Sequence, residues 1–223
     1  MRSSTRGLLL SGAAAGPLFL TAATVQSLVR AGYDPVRHPI SSLAIGGHGW
    51  VQVANFVLTG LLTVALALGV RRALAPARGS AVWGPILLAA WGIGLIGAGV
   101  FESDPVGGYP PGTPEILSEY TTAGALHDVC SMLAFAALMA AGLVLGTRTE
   151  LTDRPWAVYS VLTVAAFGVL LVLASLGFGQ HDSFAAHAGL YQRASLLVGF
   201  TWTTALAVRL LRRAPEADGE DGP

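Results

Sequence analysis

The chain has 223 residues, 53% of them hydrophobic and only 12% charged, with 13 basic residues balanced by 13 acidic ones. Soluble domains carry roughly 25% charged residues, so this chain has too little charge to coat a globule in water, and its even balance leaves no global field to draw nucleic acid or acidic substrates. One cysteine, Cys130, excludes an intramolecular disulfide and a cysteine-rich metal cluster; the class that remains is a polytopic membrane protein.

A bilayer core about 30 Å thick takes roughly 20 predominantly apolar residues per helix. Six stretches qualify, at about residues 8–29, 50–70, 81–101, 125–146, 156–178 and 191–211. Their apolar residues run continuously, without the period-two alternation of an outer-membrane barrel. In hydrocarbon every backbone group needs a partner within its own segment, so each run is predicted to be a helix. The fold class is therefore all-α: one six-helix transmembrane bundle over residues 1–213, followed by a solvated, disordered tail at 214–223.

Taken in order, the first span follows Arg2 and Arg6 and carries Gly12-x-x-x-Gly16 and Pro17. A cleaved signal peptide competes for this segment, but its apolar run continues past Ala22 and Ala23 through Val25, Leu28 and Val29. The first long loop holds Tyr33-Asp34-Pro35 and Arg37-His38-Pro39-Ile40-Ser41-Ser42. The second span opens with Gln52 and Asn55, three apart and so on one helical face, and ends at Arg71 and Arg72. The third span has Gly92, Gly94, Gly97 and Gly99, small residues that let helices approach closely within the bundle. A turn-rich second loop follows, with Asp104-Pro105, Gly107-Gly108-Tyr109-Pro110-Pro111-Gly112 and Glu115. His127-Asp128 heads the fourth span, Gln180-His181-Asp182 and His187 occupy the third long loop, and Gln192-Arg193 heads the sixth span.

Arginine placement sets the expected topology. Arg2, Arg6, Arg71, Arg72, Arg78, Arg148, Arg154, Arg209, Arg212 and Arg213 lie on one side, against Arg30, Arg37 and Arg193 on the other. The positive-inside rule then puts both termini in the cytoplasm.

All five histidines, His38, His48, His127, His181 and His187, fall on the opposite, external side. An ionisable group at membrane depth costs roughly 2.5–3.5 kcal/mol on insertion scales, so such groups face the bundle and pair. Arg193 is expected to pair with Asp104 or Asp128. Residues able to build a ligand pocket at the outer leaflet, between the second, fourth and sixth spans, are Asp34, His38, Ser41, Asn55, Gln192 and Arg193, with Asp104, His127 and Asp128 as candidate acid/base groups. Histidine and carboxylate suit zinc, and His127, His181 and His187 are the weak metal candidates. No spacing fixes two of them as ligands, however, so no metal is expected. No phosphate-binding loop occurs either, since Gly46-Gly47-His48-Gly49 follows no strand and reads as a turn; no cofactor is expected.

His38-Pro39-Ile40-Ser41-Ser42-Leu43-Ala44, Gly49-Trp50-Val51-Gln52-Val53-Ala54-Asn55, Leu126-His127-Asp128 and Gly189-Leu190-Tyr191-Gln192-Arg193 together resemble a bacterial and archaeal family of membrane proteins, domain-of-unknown-function family 998. The resemblance spans roughly residues 8–212 and implies a six-helix membrane protein without implying an activity. His181 and His187 lie outside its motifs.

The functional expectation is a non-catalytic bundle whose outer-leaflet pocket takes a lipid, a small amphiphile or a partner. A membrane-embedded lipid hydrolase is the alternative, and a small transporter a second. Neither nucleic-acid binding nor a particular oligomeric state has a signature here. The topology is checked by reporter fusions: those after Arg78, Arg154 and Pro223 are expected to score cytoplasmic, and those after Tyr109 and Asp182 external. An external score at Pro223 would remove the six-span topology.

Overall fold

The computed structural model describes residues 3–75, 80–147 and 153–213. Six helices carry the fold: α1 (Ser3–Val29), α2 (Trp50–Ala73), α3 (Ser80–Val100), α4 (Thr122–Gly146), α5 (Arg154–Phe178) and α6 (Ala188–Arg213). All six are long and apolar enough to cross a membrane. Two short 3-10 turns, Ile40–Ala44 and Ala185–His187, lie in the connections, and the described residues form no strand. Arg2, Arg78, Arg148 and the expected tail at 214–223 lie outside the described residues.

Several helices overrun the apolar runs that announce them, because hydropathy marks the part of a helix in hydrocarbon while capping chemistry marks its start. The Thr121 side chain accepts a hydrogen bond from the Gly124 N–H, so α4 begins at Thr122 rather than at 125. The Asp153 carboxylate accepts from the Trp156 N–H, and α5 begins at Arg154 with Pro155 in its first turn.

Each helix packs on its neighbours in sequence, and α1 closes back on α6, so the six form a ring. An aromatic column fills its centre. Phe19 of α1 lies 5.4 Å from Phe56 of α2 and 5.3 Å from Phe200 of α6, and Trp91 of α3 lies 5.1 Å from Phe200, centroid to centroid. Lipid tails are as apolar as leucine, so close packing rather than hydrophobic burial holds such helices together. Glycine makes that approach possible between α2 and α3, where a Cβ on Gly60 would stand 2.5 Å from the Gly92 carbonyl oxygen. Gly12 and Gly16 serve two different neighbours, Leu66 on α2 and Phe200 on α6; they pack within one chain, as expected.

Some polar groups inside the ring find partners across helices. Pro17 has no N–H for the Ala13 carbonyl, and the Thr204 hydroxyl of α6 donates to that oxygen at 3.4 Å. The Asn55 amide donates to the Phe19 carbonyl at 3.1 Å, and the Gln26 amide donates to the Gln52 oxygen at 2.8 Å. On the outside, Leu28, Ile93, Leu133 and Leu162 are exposed, the surface a lipid-facing wall presents. Exposed Trp50 and Tyr120 at one end and Trp83 at the other match the aromatic belts of membrane interfaces.

The long connections, residues 30–49, 101–121 and 179–187, gather at one end of the ring, here called the loop-rich end. The tie between α5 and α6 at the opposite end is Arg209, which pairs with Asp153 at 2.8 Å and lies over the Trp156 ring at 5.1 Å. The Arg209 guanidinium and the Trp156 N–H hold the Asp153 carboxyl below the usual carboxylate range.

Candidate functional site

At the loop-rich end the ring is incomplete. The contact between α4 and α5 is the sparsest of any neighbouring pair, and there a cavity of about 390 Å³ opens. One wall is a stripe on α4, Asp128, Ser131, Met132 and Phe135, which recur at the spacing of one helical face. The facing stripe on α5 has the same spacing: Leu171, Ala174, Ser175 and Phe178. Leu95 and Ala98 of α3 and Gln192 and Leu196 of α6 form the back, and Phe19 and Phe56 reach it from the ring centre. The roof is the second long loop, through Ser103, Asp104, Glu115 and Tyr120, with Ser41 at its edge.

Five of the residues singled out from the sequence thus meet in this cavity: Ser41, Asp104, His127, Asp128 and Gln192. Asp104 accepts from the Thr121 backbone N–H at 2.9 Å and from its hydroxyl at 2.8 Å, which ties the roof to the start of α4. His127 Nδ1 faces two carbonyl oxygens, Ala98 at 2.8 Å and Phe101 at 3.1 Å, so that nitrogen carries the proton. The Gln192 side-chain oxygen accepts from the Ile40 N–H at 2.8 Å. Asp128 is exposed on the α4 stripe.

The other four lie elsewhere, and each has a structural partner. Asn55 belongs to the buried Gln26–Gln52 network between α1 and α2. The Asp34 carboxylate accepts from the Val36 N–H, closing a turn. His38 is buried, its Nδ1 accepting from the Asp34 N–H at 2.9 Å and its Nε2 donating to the Gly107 carbonyl at 3.3 Å. The cavity touches the three spans expected to line it, the second through Phe56, the fourth through its stripe of Asp128, Ser131, Met132 and Phe135, and the sixth through Gln192 and Leu196, but its mouth lies between the fourth and the fifth.

Arg193 overturns the expected ion pair. Neither Asp104 nor Asp128 reaches it. One guanidinium nitrogen donates to the His38 and Gly189 carbonyls, each at 3.1 Å, and the other donates to the Ser27 hydroxyl at 3.3 Å and to the Tyr33 hydroxyl. The Tyr33 ring lies beneath the guanidinium at 5.6 Å. Five fixed donors suit several neutral oxygens at once, which a single carboxylate would not engage. The Tyr33 hydroxyl in turn donates to the Pro39 carbonyl at 3.0 Å, and burial holds its phenol above the usual tyrosine range. Tyr109 of the roof packs edge-on against Tyr33 at 5.3 Å and lies 5.2 Å from the His38 ring. Arg193 thus positions the first loop, and the first loop positions the roof.

Sequence reasoning missed Ser103, Glu115 and Gln180 in the lining. Glu115 forms an ion pair with Arg37 across the two loops. Gln180 has φ +58°; the Gln180 N–H bonds back to the Gly177 carbonyl and the His181 N–H to that of Leu176, a helix end usually made by glycine. A glutamine with two glycines just before it was the available signal. His181 and His187 pack on Phe184 and Tyr191 rather than with His127. Among the described residues no three His, Cys, Asp or Glu gather as a metal site.

The family of proteins of unknown function DUF998 matches residues 13–209. The chain belongs to DUF998. No curated protein and no solved structure matches it.

Two measurements check the clamp. Arg193→Ala leaves four oxygens without their donor and is expected to cost about 2–4 kcal/mol, read as a lower thermal midpoint in detergent. Burial, the largest influence on His38, holds its imidazole below the usual histidine range; the Gly107 carbonyl, Asp34 and Glu115 oppose this and Arg37 adds to it. A depressed folded-state pKa means the unfolded chain binds the proton more readily. The stabilisation is complete above about pH 6.5 and is lost as pH falls through the folded-state value. The midpoint is expected to drop on acidification through that window, and His38→Phe to flatten the dependence; an unchanged pH profile in the variant would contradict this.

Proposed function

We propose that this DUF998 protein is a non-catalytic multi-pass bundle of the bacterial plasma membrane, both termini cytoplasmic, that holds a lipid or small amphiphile at its outer leaflet. The arginine asymmetry supports the orientation. The cavity carries the reading. Its volume of about 390 Å³ lies within the range of small-molecule sites, and its polarity is graded. Asp104, Glu115 and Ser103 stand at the roof, while Phe135, Leu171 and Leu196 form the depth, which suits a polar head above an apolar tail. Its side faces the α4–α5 gap, from which a bilayer component can enter.

Gln180 adds support. A left-handed backbone costs a side-chain-bearing residue energy that glycine avoids, and Gln180 lines the cavity while holding that conformation. Strain of this kind concentrates at functional sites.

The hydrolase reading would draw on Asp104, His127 and Asp128, which share the cavity. Asp104 is committed to Thr121, and no hydroxyl among the described residues bonds His127. A nucleophile–base pair is therefore missing, and binding is the better-supported reading.

The test is native mass spectrometry of protein extracted in a gentle non-ionic detergent. Wild type is expected to retain a stoichiometric lipid or amphiphile. Ser175→Trp, on the exposed α5 stripe, is expected to lose it while keeping its helicity. Equal retention by the blocked variant would overturn the reading.

A further inference from the structure

The proposed binding reading says nothing of headgroup charge, yet the cavity wall is one-sided. Its charged residues are Asp104, Glu115 and Asp128; no arginine lines it, and the chain contains no lysine. Two of the three carboxylates are already engaged, Asp104 with Thr121 and Glu115 with Arg37. Asp128 is not. Among the described residues it makes no hydrogen bond and no ion pair, although it lies six residues into α4, roughly 9 Å along the helix from its first residue. A carboxylate on a membrane-spanning helix is expensive unless it meets a partner.

A second group is also unsatisfied. The Ser103 hydroxyl is buried without a hydrogen-bond partner, its residue only 7% exposed, and it lines the same cavity. His127 lines the same cavity but spends its Nδ1–H on the Ala98 and Phe101 carbonyls. An anionic headgroup would face three carboxylates, of which only Glu115 has a cation, Arg37, beside it. A cationic N–H donor would meet a free carboxylate and a hydroxyl without a partner.

We propose that the cavity takes a single-chain amphiphile with an ammonium headgroup. The ammonium sits against the Asp128 carboxylate and the Ser103 hydroxyl, and the tail lies between Met132 and Phe135 of α4 and Leu171 and Phe178 of α5. This rests on the binding reading and specifies its ligand.

The experiment titrates tetradecylammonium, tetradecyl phosphate and tetradecanol into protein held in maltoside micelles, with bound amphiphile read by native mass spectrometry. Wild type is compared with Asp128→Asn, Asp128→Glu and Ser175→Trp, each checked for helicity and thermal midpoint. Wild type is expected to prefer the ammonium over the phosphate by about ten-fold or more, the scale of one ion pair in a partly dehydrated site. Asp128→Asn is expected to bring the two within about two-fold, while Asp128→Glu retains the preference. Equal binding of phosphate and ammonium by wild type, or a preference that survives in Asp128→Asn, overturns the charge assignment; if Ser175→Trp still abolishes binding, the cavity remains the site. If no amphiphile binds wild type more than the blocked variant, the binding reading itself falls, and this inference with it.

Discussion

The loop-rich end is organised by one cation, Arg193, that has no counter-ion among the described residues. Arg193 enters at the head of α6 and spends its donors on neutral oxygens from α1, the first loop and its own helix. A guanidinium is always charged and never accepts a hydrogen bond, so wherever it is drawn below the surface the surrounding backbone must supply carbonyls. The first loop does so by folding over it. His38 offers its carbonyl to the arginine and its ring to Gly107, so a single residue links the cation to the roof. With the roof held from this side, and from the other by Asp104 on Thr121, the second loop spans the ring without a secondary structure of its own.

That arrangement also explains why a cavity forms where it does. Glycine brings α1, α2 and α3 close enough that a Cβ would clash, which closes that side of the ring, and polar amides bond across it. Between α4 and α5 the packing is looser at the loop-rich end, and the two facing stripes stand apart beneath the roof. The gap is bounded by the α4 and α5 stripes, by α3 and α6 behind, and by the second loop above, which is tied down at Thr121 and Arg37.

The individual candidates show what sequence patterns can reveal about a site. His127 and Asp128 were visible because polar residues inside an apolar run are conspicuous, and both line the cavity. Asn55 was visible for the same reason and proved to be an interhelical bond; depth alone does not tell a ligand group from a helix tie. Ser103 and Glu115 sit in a polar loop, where nothing distinguishes them until that loop is folded over the ring. The Arg193 partner was misassigned because charge pairing is the default at membrane depth, whereas the first loop, α1 and α6 together bring four neutral oxygens within its reach.

Six helices and their approximate bounds are local properties: twenty apolar residues in hydrocarbon have no alternative to intrahelical hydrogen bonds, and the side on which arginine accumulates is written along the chain. Helix starts are local too, through caps such as Thr121 and Asp153, though hydropathy does not register them. Which faces meet is not local. The order of the ring, the choice of α4 and α5 as the open pair, and the partners of Arg193 depend on side-chain shapes that compete across the whole bundle. The Gly189 carbonyl is one turn away on the same helix, but the His38 carbonyl and the Ser27 and Tyr33 hydroxyls come from segments that only the closed ring brings to the arginine.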